Sequence, residues 1–163
     1  MLTINTILHP TDFSEASDYA FHFACALARD YNARLILLHV DELSMYVTGE
    51  GVFMPPLPPV VDPSLLQEKL IRLKPSDSNI KVEHRIVEGE AAEQILKVAE
   101  QSKCDLIILG THGRTGLTRL LTGSVAEHVL RKANCPVLTV KAPNNPAKAA
   151  TATTEKKQTT GTA

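Results

Sequence analysis

Apolar and polar residues alternate along this chain with two different periods. Five short segments are rich in leucine or β-branched residues, which is typical of strands buried in a sheet. These predicted strands are Asn5–Leu8, Leu35–Val40, Val82–Val87, Asp105–Leu109 and Val137–Val140. Between them, apolar residues recur at intervals of three and four positions, as they do in amphipathic helices. The predicted helices are Ala20–Tyr31, Ser64–Leu73, Ala92–Ala99 and Val125–Ala133.

This alternation of strands and helices predicts a doubly wound α/β fold. Parallel neighbouring strands need a crossover connection, and a helix supplies it in a right-handed turn. The five strands are therefore expected to form one parallel sheet with helices on both faces.

Two segments fall outside this alternation. The segment Asp41–Pro63 contains two glycines and the run Pro55–Pro59, where fixed φ angles and missing amides exclude a helix or a central strand. A long exposed loop is expected there, acting as a stiff spacer, a lid over a nearby ligand or a polyproline ligand for another protein. Residues 143–163 have no large apolar side chains and are expected to form a disordered tail. Residues 1–142 remain as one domain.

Composition narrows the classes of partner. The 163 residues are 44% hydrophobic, which is enough for a sizeable core. The chain has 17 basic and 18 acidic residues, so its positive and negative charges nearly cancel. This balance provides no broad positive field, so nucleic acid is not an expected partner. The segment Met1–His9 does not resemble a signal peptide, and no apolar run approaches the roughly 20 residues of a membrane span. A soluble, cytoplasmic protein without a membrane partner is expected.

Cysteine and histidine spacing indicates no metal site built by the protein. The cysteines Cys25, Cys104 and Cys135 form no CxxC pair and are odd in number, so neither a disulfide framework nor a zinc site is expected. They are interpreted as packing residues. Five of the six histidines lack the spacing of metal ligands; these are His9, His22, His39, His84 and His128.

The glycine-rich stretch Gly110–Ser124 leads from the end of a strand to the start of a helix. Glycine after a buried strand allows a sharp turn and a close approach of a ligand, and the helix start offers free amides and a positive dipole end. These are properties of a phosphate site. The stretch matches neither a P-loop nor a dinucleotide fingerprint. Ser124 and Glu127 are also spaced as a capping box, which needs no ligand.

A second polar element, His9–Ser14, follows the first predicted strand. Asp12 is a candidate acceptor of hydrogen bonds from the base or ribose of a ligand. The alternative is that Asp12 caps the next helix, since Asp12 and Glu15 also have capping-box spacing. In an open doubly wound sheet, ligands bind where the winding reverses. The loops after the first and fourth strands are expected to meet at that point.

These residues together resemble the ATP-binding motif of the universal stress protein family. The motif is Gly-x-x-Gly, nine residues, then Gly-Ser, and here it is formed by Gly110, Gly113, Gly123 and Ser124. Three further segments are similar to the family: Pro10–Ser14, Leu37–Val40 and Ala133–Val137. The similarity spans Asn5 to Val140.

The resemblance implies an adenine nucleotide alpha hydrolase-like fold with strand order 3-2-1-4-5. It also implies that Asp12 and Val40 lie near the adenine and that the motif residues lie near the ribose and phosphates. The implied nucleotide-binding set is Pro10, Thr11, Asp12, Val40, Leu109, Gly110, Thr111, His112, Gly113, Arg114, Gly123, Ser124 and Val125. The retained glycines favour the ATP-binding branch. The expected ligand is ATP, ADP or AMP, with Mg²⁺ held mainly by the phosphates.

An ATP-binding sensor or regulator in stress response, with slow or no hydrolysis, is the function that these features favour. His112 has no nucleophile or orienting partner identifiable from sequence, so no catalytic residue is assigned. One alternative is an adenine-nucleotide hydrolase or transferase, although the chain lacks the Ser-Gly-Gly-x-Asp-Ser loop of pyrophosphatase-type relatives. The other is a nucleotide-free dimeric interaction module. A homodimer through the edge strand Val137–Val140 is expected in either case.

Overall fold

The structure is a computed structural model that describes residues 3–42, 62–111 and 124–142, without the side chains of Pro63 and Ser124. Three predictions therefore lie outside the described residues. They are the proline-rich loop, the glycine loop beyond Thr111 and the disordered tail.

Five strands and four helices alternate along the described chain. The strands are β1 (Thr6–Pro10), β2 (Arg34–Asp41), β3 (Val82–Glu88), β4 (Leu106–Gly110) and β5 (Val137–Val140). The helices are α1 (Glu15–Tyr31), α2 (Pro63–Arg72), α3 (Ala91–Gln101) and α4 (Ser124–Lys132). Every predicted strand and helix is confirmed. The largest difference is at α1, which begins five residues before Ala20, because a capping serine at Ser14 starts it ahead of its apolar stripe.

All five strands are parallel and form one sheet in the order β3-β2-β1-β4-β5. This order confirms both the doubly wound architecture predicted from the alternation of strands and helices and the strand order that the resemblance implied. The chain winds outward from β1 to β3, then returns to the other side of β1 and continues through β4 to β5. The winding therefore reverses between β1 and β4, in the middle of the sheet.

The sheet separates two apolar layers. One contains Ile7, Leu35 and Ile108 and packs against α1 and α2, which contribute Phe21 and Leu70. The opposite layer contains strand residues such as Leu8 and Ile107 and packs against α3 and α4. Because successive strand residues point to opposite faces, neighbouring residues such as Ile7 and Leu8 belong to different layers. Strands buried on both faces explain the nearly continuous apolar runs.

The helices in the described ranges are too short or too polar to cross a membrane.

Candidate functional site

The carboxyl end of β4 lies against the first turn of α1. A Cβ atom added to Gly110 would lie only 2.8 Å from the backbone carbon and oxygen of Ala16 and 3.1 Å from the amide nitrogen of Ser17. The end of β4 and the start of α1 are thus in direct contact at the point where the winding reverses. The sequence attributed Gly110 to a turn and to ligand approach, whereas the structure adds the close packing of α1.

Thr11, the first residue after β1, is fixed through each of its polar atoms. Its amide donates to the Leu38 carbonyl at 2.8 Å. Its hydroxyl oxygen accepts from the Ser17 hydroxyl at 2.9 Å and from the Phe13 amide at 3.1 Å. Its carbonyl accepts from His39 Nδ1 at 2.8 Å. The buried Thr11 therefore ties the β1–α1 loop (Thr11–Ser14) to β2 and to α1.

Asp12 follows Thr11 in this loop and is half-buried. Its Oδ1 accepts from the Ser14 amide at 3.0 Å. The N-cap of α1 is Ser14, whose Oγ accepts from the Ser17 amide at 3.2 Å and whose carbonyl accepts from the Asp18 amide. The interpretation of Asp12 as the N-cap is therefore wrong: Asp12 lies two residues before the cap, and its carboxylate forms a turn with the Ser14 amide.

The strand ends next to β1 supply the remaining described candidates. Gly110 pairs with Val140 of β5, and the Thr111 amide donates to the Val140 carbonyl at 3.0 Å. Thr111 is half-buried, as is Val40 at the end of β2. The side chains of Leu109 and Val125 pack in the α3–α4 layer instead. The side chains that remain partly accessible at this edge include those of Asp12, Val40 and Thr111.

Several predicted phosphate contacts lie outside the described residues. These are His112, Gly113, Arg114, Gly123 and the side chain of Ser124. Glu127, the other member of the predicted capping box, accepts from Arg131 Nη2 at 2.6 Å. The capping box itself stays a prediction.

Two buried histidines were not recognised as site residues from sequence. His39 holds the Thr11 carbonyl, and His9 Nδ1 lies 2.8 Å from the Ile108 carbonyl oxygen. The last paired residues of β1 and β4 are Leu8 and Ile107. If the parallel pairing continued, the amide of residue 10 would donate to the Ile108 carbonyl. Proline has no amide hydrogen, so the His9 ring supplies the missing donor. The feature of the sequence that could have identified His9 is its position directly after the apolar residues of a strand buried on both faces.

The His9 ring is uncharged at neutral pH. It is fully buried, and desolvation lowers its pKa from 6.5 to about 4, although the bond to Ile108 and the charges of Asp12 and Asp18 act in the opposite direction. A carbonyl oxygen can only accept, so the hydrogen of the neutral ring lies on Nδ1. Nε2 is left as an acceptor without a partner among the described residues.

The three cysteines are unpaired and pack against the core, which confirms their interpretation as packing residues. Burial raises the pKa of the Cys25 thiol to about 11 and that of Cys104 to about 12. Cys104 and Cys135 line a groove of about 500 Å³ between α3 and α4, at the amino ends of the strands. Protonated thiols are poor nucleophiles and metal ligands. Within the described ranges, no three His, Cys, Asp or Glu side chains are grouped closely enough to share a metal ion.

A parallel sheet whose winding reverses between β1 and β4 defines an open, doubly wound α/β protein, a class of fold that binds ligands at the switch point. The chain belongs to the universal stress protein family, whose family model matches residues 3–141. It is 35% identical over 144 residues to universal stress protein MJ0531 of Methanocaldococcus jannaschii. The matched region covers 84% of this chain and 82% of that protein.

Two further proteins extend the comparison to solved structures. Universal stress protein MJ0577 of the same organism is 36% identical over 155 residues, covering 85% of this chain and 96% of its own length. The solved structure of MJ0577 has a TM-score of 0.67 and covers 88% of this chain and 100% of that one. A universal stress protein solved in complex with cAMP has a TM-score of 0.62 at 25% identity, covering 86% and 98% of the two chains.

Proposed function

We propose that this chain is a cytoplasmic, ATP-binding regulatory protein of the stress response, with slow or no ATP hydrolysis. The observation that carries the proposal is the junction of the Asp12 loop with the Gly110 end of β4, at the point where a doubly wound sheet binds its ligand. The related protein in complex with cAMP supports an adenine nucleotide as the class of ligand.

Asp12 and Val40 are proposed to contact the nucleoside. The Asp12 carboxylate would accept from the adenine amino group or from a ribose hydroxyl. Val40 is half-buried beside the α3–α4 apolar layer and would provide an apolar wall for the base. The residues proposed to support these two contacts from within the fold are Leu109, Val125, Pro10 and Thr11.

The phosphates are proposed to lie at the amino end of α4, with the glycine loop and Mg²⁺. The other helix on this face, α3, already has carboxylates on its first amides: Glu90 accepts from the amides of Ala92 and Glu93, and Glu42 accepts from that of Ala91. A phosphate at α3 would meet two negative charges. Gly123 directly precedes α4 and Ser124 is its first residue. Gly113, Arg114 and His112 lie earlier in the same segment of the sequence.

Slow turnover is consistent with the burial of His9 and His39, the two histidines nearest in sequence to the β1–α1 loop and the end of β2. His9 is fully buried and His39 is only 7% exposed, so neither ring is open to a water molecule that it could activate as a general base in this conformation.

Calorimetric titration of nucleotide-stripped protein with Mg-ATP tests this proposal. Saturable binding is expected, and Asp12→Ala is expected to weaken it about tenfold, the effect of losing one hydrogen bond to a charged acceptor. Asp30→Ala is the matched control, because Asp30 is an exposed acid at the opposite end of α1, paired with Arg29. Absence of binding by folded wild-type protein at millimolar ATP would instead favour the nucleotide-free interaction module.

The edge strand β5 is proposed to join two copies of the chain. Both β3 and β5 are edge strands, but β3 carries Glu83, Arg85 and Glu88, whereas β5 has the uncharged sequence Val-Leu-Thr-Val. Charged residues discourage edge-to-edge pairing. Leu138 is 37% exposed on the uncharged edge. Pairing of two β5 strands would cover this side chain and satisfy the outward-facing backbone groups.

Thr139→Pro tests this dimer. The carbonyls of Pro136 and Val140 face β4, so the amide of residue 139 faces the open edge. We expect wild-type protein to sediment as a dimer at micromolar concentration, Thr139→Pro as a monomer, and Thr139→Val as a dimer. A monomeric wild type excludes the dimer, and a dimeric proline variant assigns it to another surface.

A further inference from the structure

His39 lies under the β1–α1 loop, near the end of β2. It follows the buried apolar residues of that strand, is only 7% exposed, and donates from Nδ1 to the Thr11 carbonyl at 2.8 Å. The bond connects residues 28 positions apart. It links the end of β2 to the residue directly before Asp12.

The same imidazole packs against Phe13, the residue directly after Asp12. The two ring centroids are 4.6 Å apart with an interplanar angle of 39°. Phe13 has a φ of 61°, in the left-handed region that bulky residues rarely adopt. Such a conformation persists only when its surroundings enforce it. The His39 ring and the bond from the Phe13 amide to Thr11 Oγ1 are contacts that do so.

Asp12 therefore lies between two residues that His39 holds by different means. A hydrogen bond fixes the Thr11 carbonyl, and ring packing fixes Phe13. A change in either neighbour rotates the peptide groups of Asp12 and moves its carboxylate. Because binding groups lose effect when displaced by about 1 Å, the orientation of this loop controls what Asp12 can bind.

We propose that His39 is a positioning residue for nucleotide binding, which holds Thr11 and Phe13 in the conformation that presents Asp12 to the nucleotide. This role rests on the proposed function. His39 does not itself touch the nucleotide. Its effect on affinity passes through the loop.

Two substitutions separate the hydrogen bond from the bulk of the ring. His39→Leu keeps an apolar side chain and removes the donor, whereas the amide of His39→Asn can donate from near the Nδ1 position. Titration with Mg-ATP is expected to show about tenfold weaker binding for the leucine variant, and binding within about threefold of wild type for the asparagine variant.

His84→Leu is the matched control for a purely structural effect. His84 Nε2 also lies within hydrogen-bond distance of a backbone carbonyl, that of Leu73 at 3.1 Å, but it joins β3 to the end of α2. This variant is expected to lose stability without a change in Kd. Equal losses of affinity in His39→Leu and His84→Leu would overturn the positioning role, as would unchanged affinity in His39→Leu.

A spectroscopic measurement tests the role independently of ATP. The Ser14 amide donates to Asp12 Oδ1, so its ¹H–¹⁵N resonance reports the orientation of the carboxylate. We expect this resonance to shift or broaden in His39→Leu and to keep its position in His39→Asn and His84→Leu. If wild type binds no nucleotide, the proposed function fails while this resonance still decides whether His39 orients Asp12. An unmoved Ser14 resonance in His39→Leu overturns the inference.

Discussion

Gly110→Val is expected to lower the free energy of unfolding by more than about 3 kcal/mol in the absence of nucleotide. Overpacking usually costs about 1–3 kcal/mol, and the cost is highest where the clashing atoms cannot move aside. A Cβ at this position would meet the backbone of Ala16 at 2.8 Å, a distance that real Cβ atoms do not show. The clash is with helix backbone, so a rotamer change cannot relieve it. Either α1 must move away from β4 or the end of β4 must shift.

Urea unfolding of the nucleotide-free protein measures this effect, and Gly110→Ala provides the graded comparison. Alanine adds only the clashing Cβ and is expected to cost about 2 kcal/mol, less than valine. If Gly110 served only to let a ligand approach, both variants would unfold normally and would lose only affinity for the nucleotide. Normal stability of Gly110→Val would therefore show that packing against α1 does not require this glycine.

Acidification is expected to destabilise the protein through His9. Its pKa is about 4 in the folded protein, against 6.5 for a histidine exposed to water, so the unfolded chain binds the proton first as pH falls. The contribution of the neutral His9 ring to the free energy of unfolding is fully present above pH 6.5 and is lost as the pH falls from 6.5 to 4. At 1.36 kcal/mol per pH unit the loss is about 3 kcal/mol. The proton would add a charge to a fully buried ring whose Nε2 has no partner among the described residues.

Comparison with His9→Asn isolates this contribution. The asparagine amide can still donate toward Ile108 but does not titrate in this range. The difference in unfolding free energy between wild type and variant is expected to shrink by about 2 kcal/mol between pH 7 and pH 5, where most carboxylates stay charged in both proteins. Parallel curves for the two proteins would contradict a buried, neutral His9. NMR of the His9 ring should show no titration above pH 5.

Much of the fold followed from short-range patterns in the sequence. Strands buried on both faces need apolar residues at successive positions, and amphipathic helices need them at intervals of three and four, so each element is visible within its own segment. Glycine at 110 and the Gly-Ser pair at the start of α4 are local signals of the same kind. The edge position of β5 and the order of the strands came from the family resemblance rather than from periodicity.

The candidate site was only partly predictable because its geometry depends on contacts between distant segments. The sequence assigned Asp12 either to a ligand or to a helix cap. The structure assigns the cap to Ser14, because its carbonyl begins the helical hydrogen bonds. Capping-box spacing alone cannot distinguish these residues, since Asp12 and Ser14 both belong to the residue types preferred there.

The sequence by itself determined the order and type of the elements, the family and the positions of the glycine motif, because these depend on neighbours in the chain. Only the tertiary structure decided that Gly110 lies against α1, and that His9 and His39 bind carbonyls 99 and 28 residues away. A histidine in an apolar strand looks the same in the sequence whether it packs, titrates or positions a loop. The difference comes from which backbone groups the neighbouring strands leave unpaired, and that is fixed only when the sheet has formed.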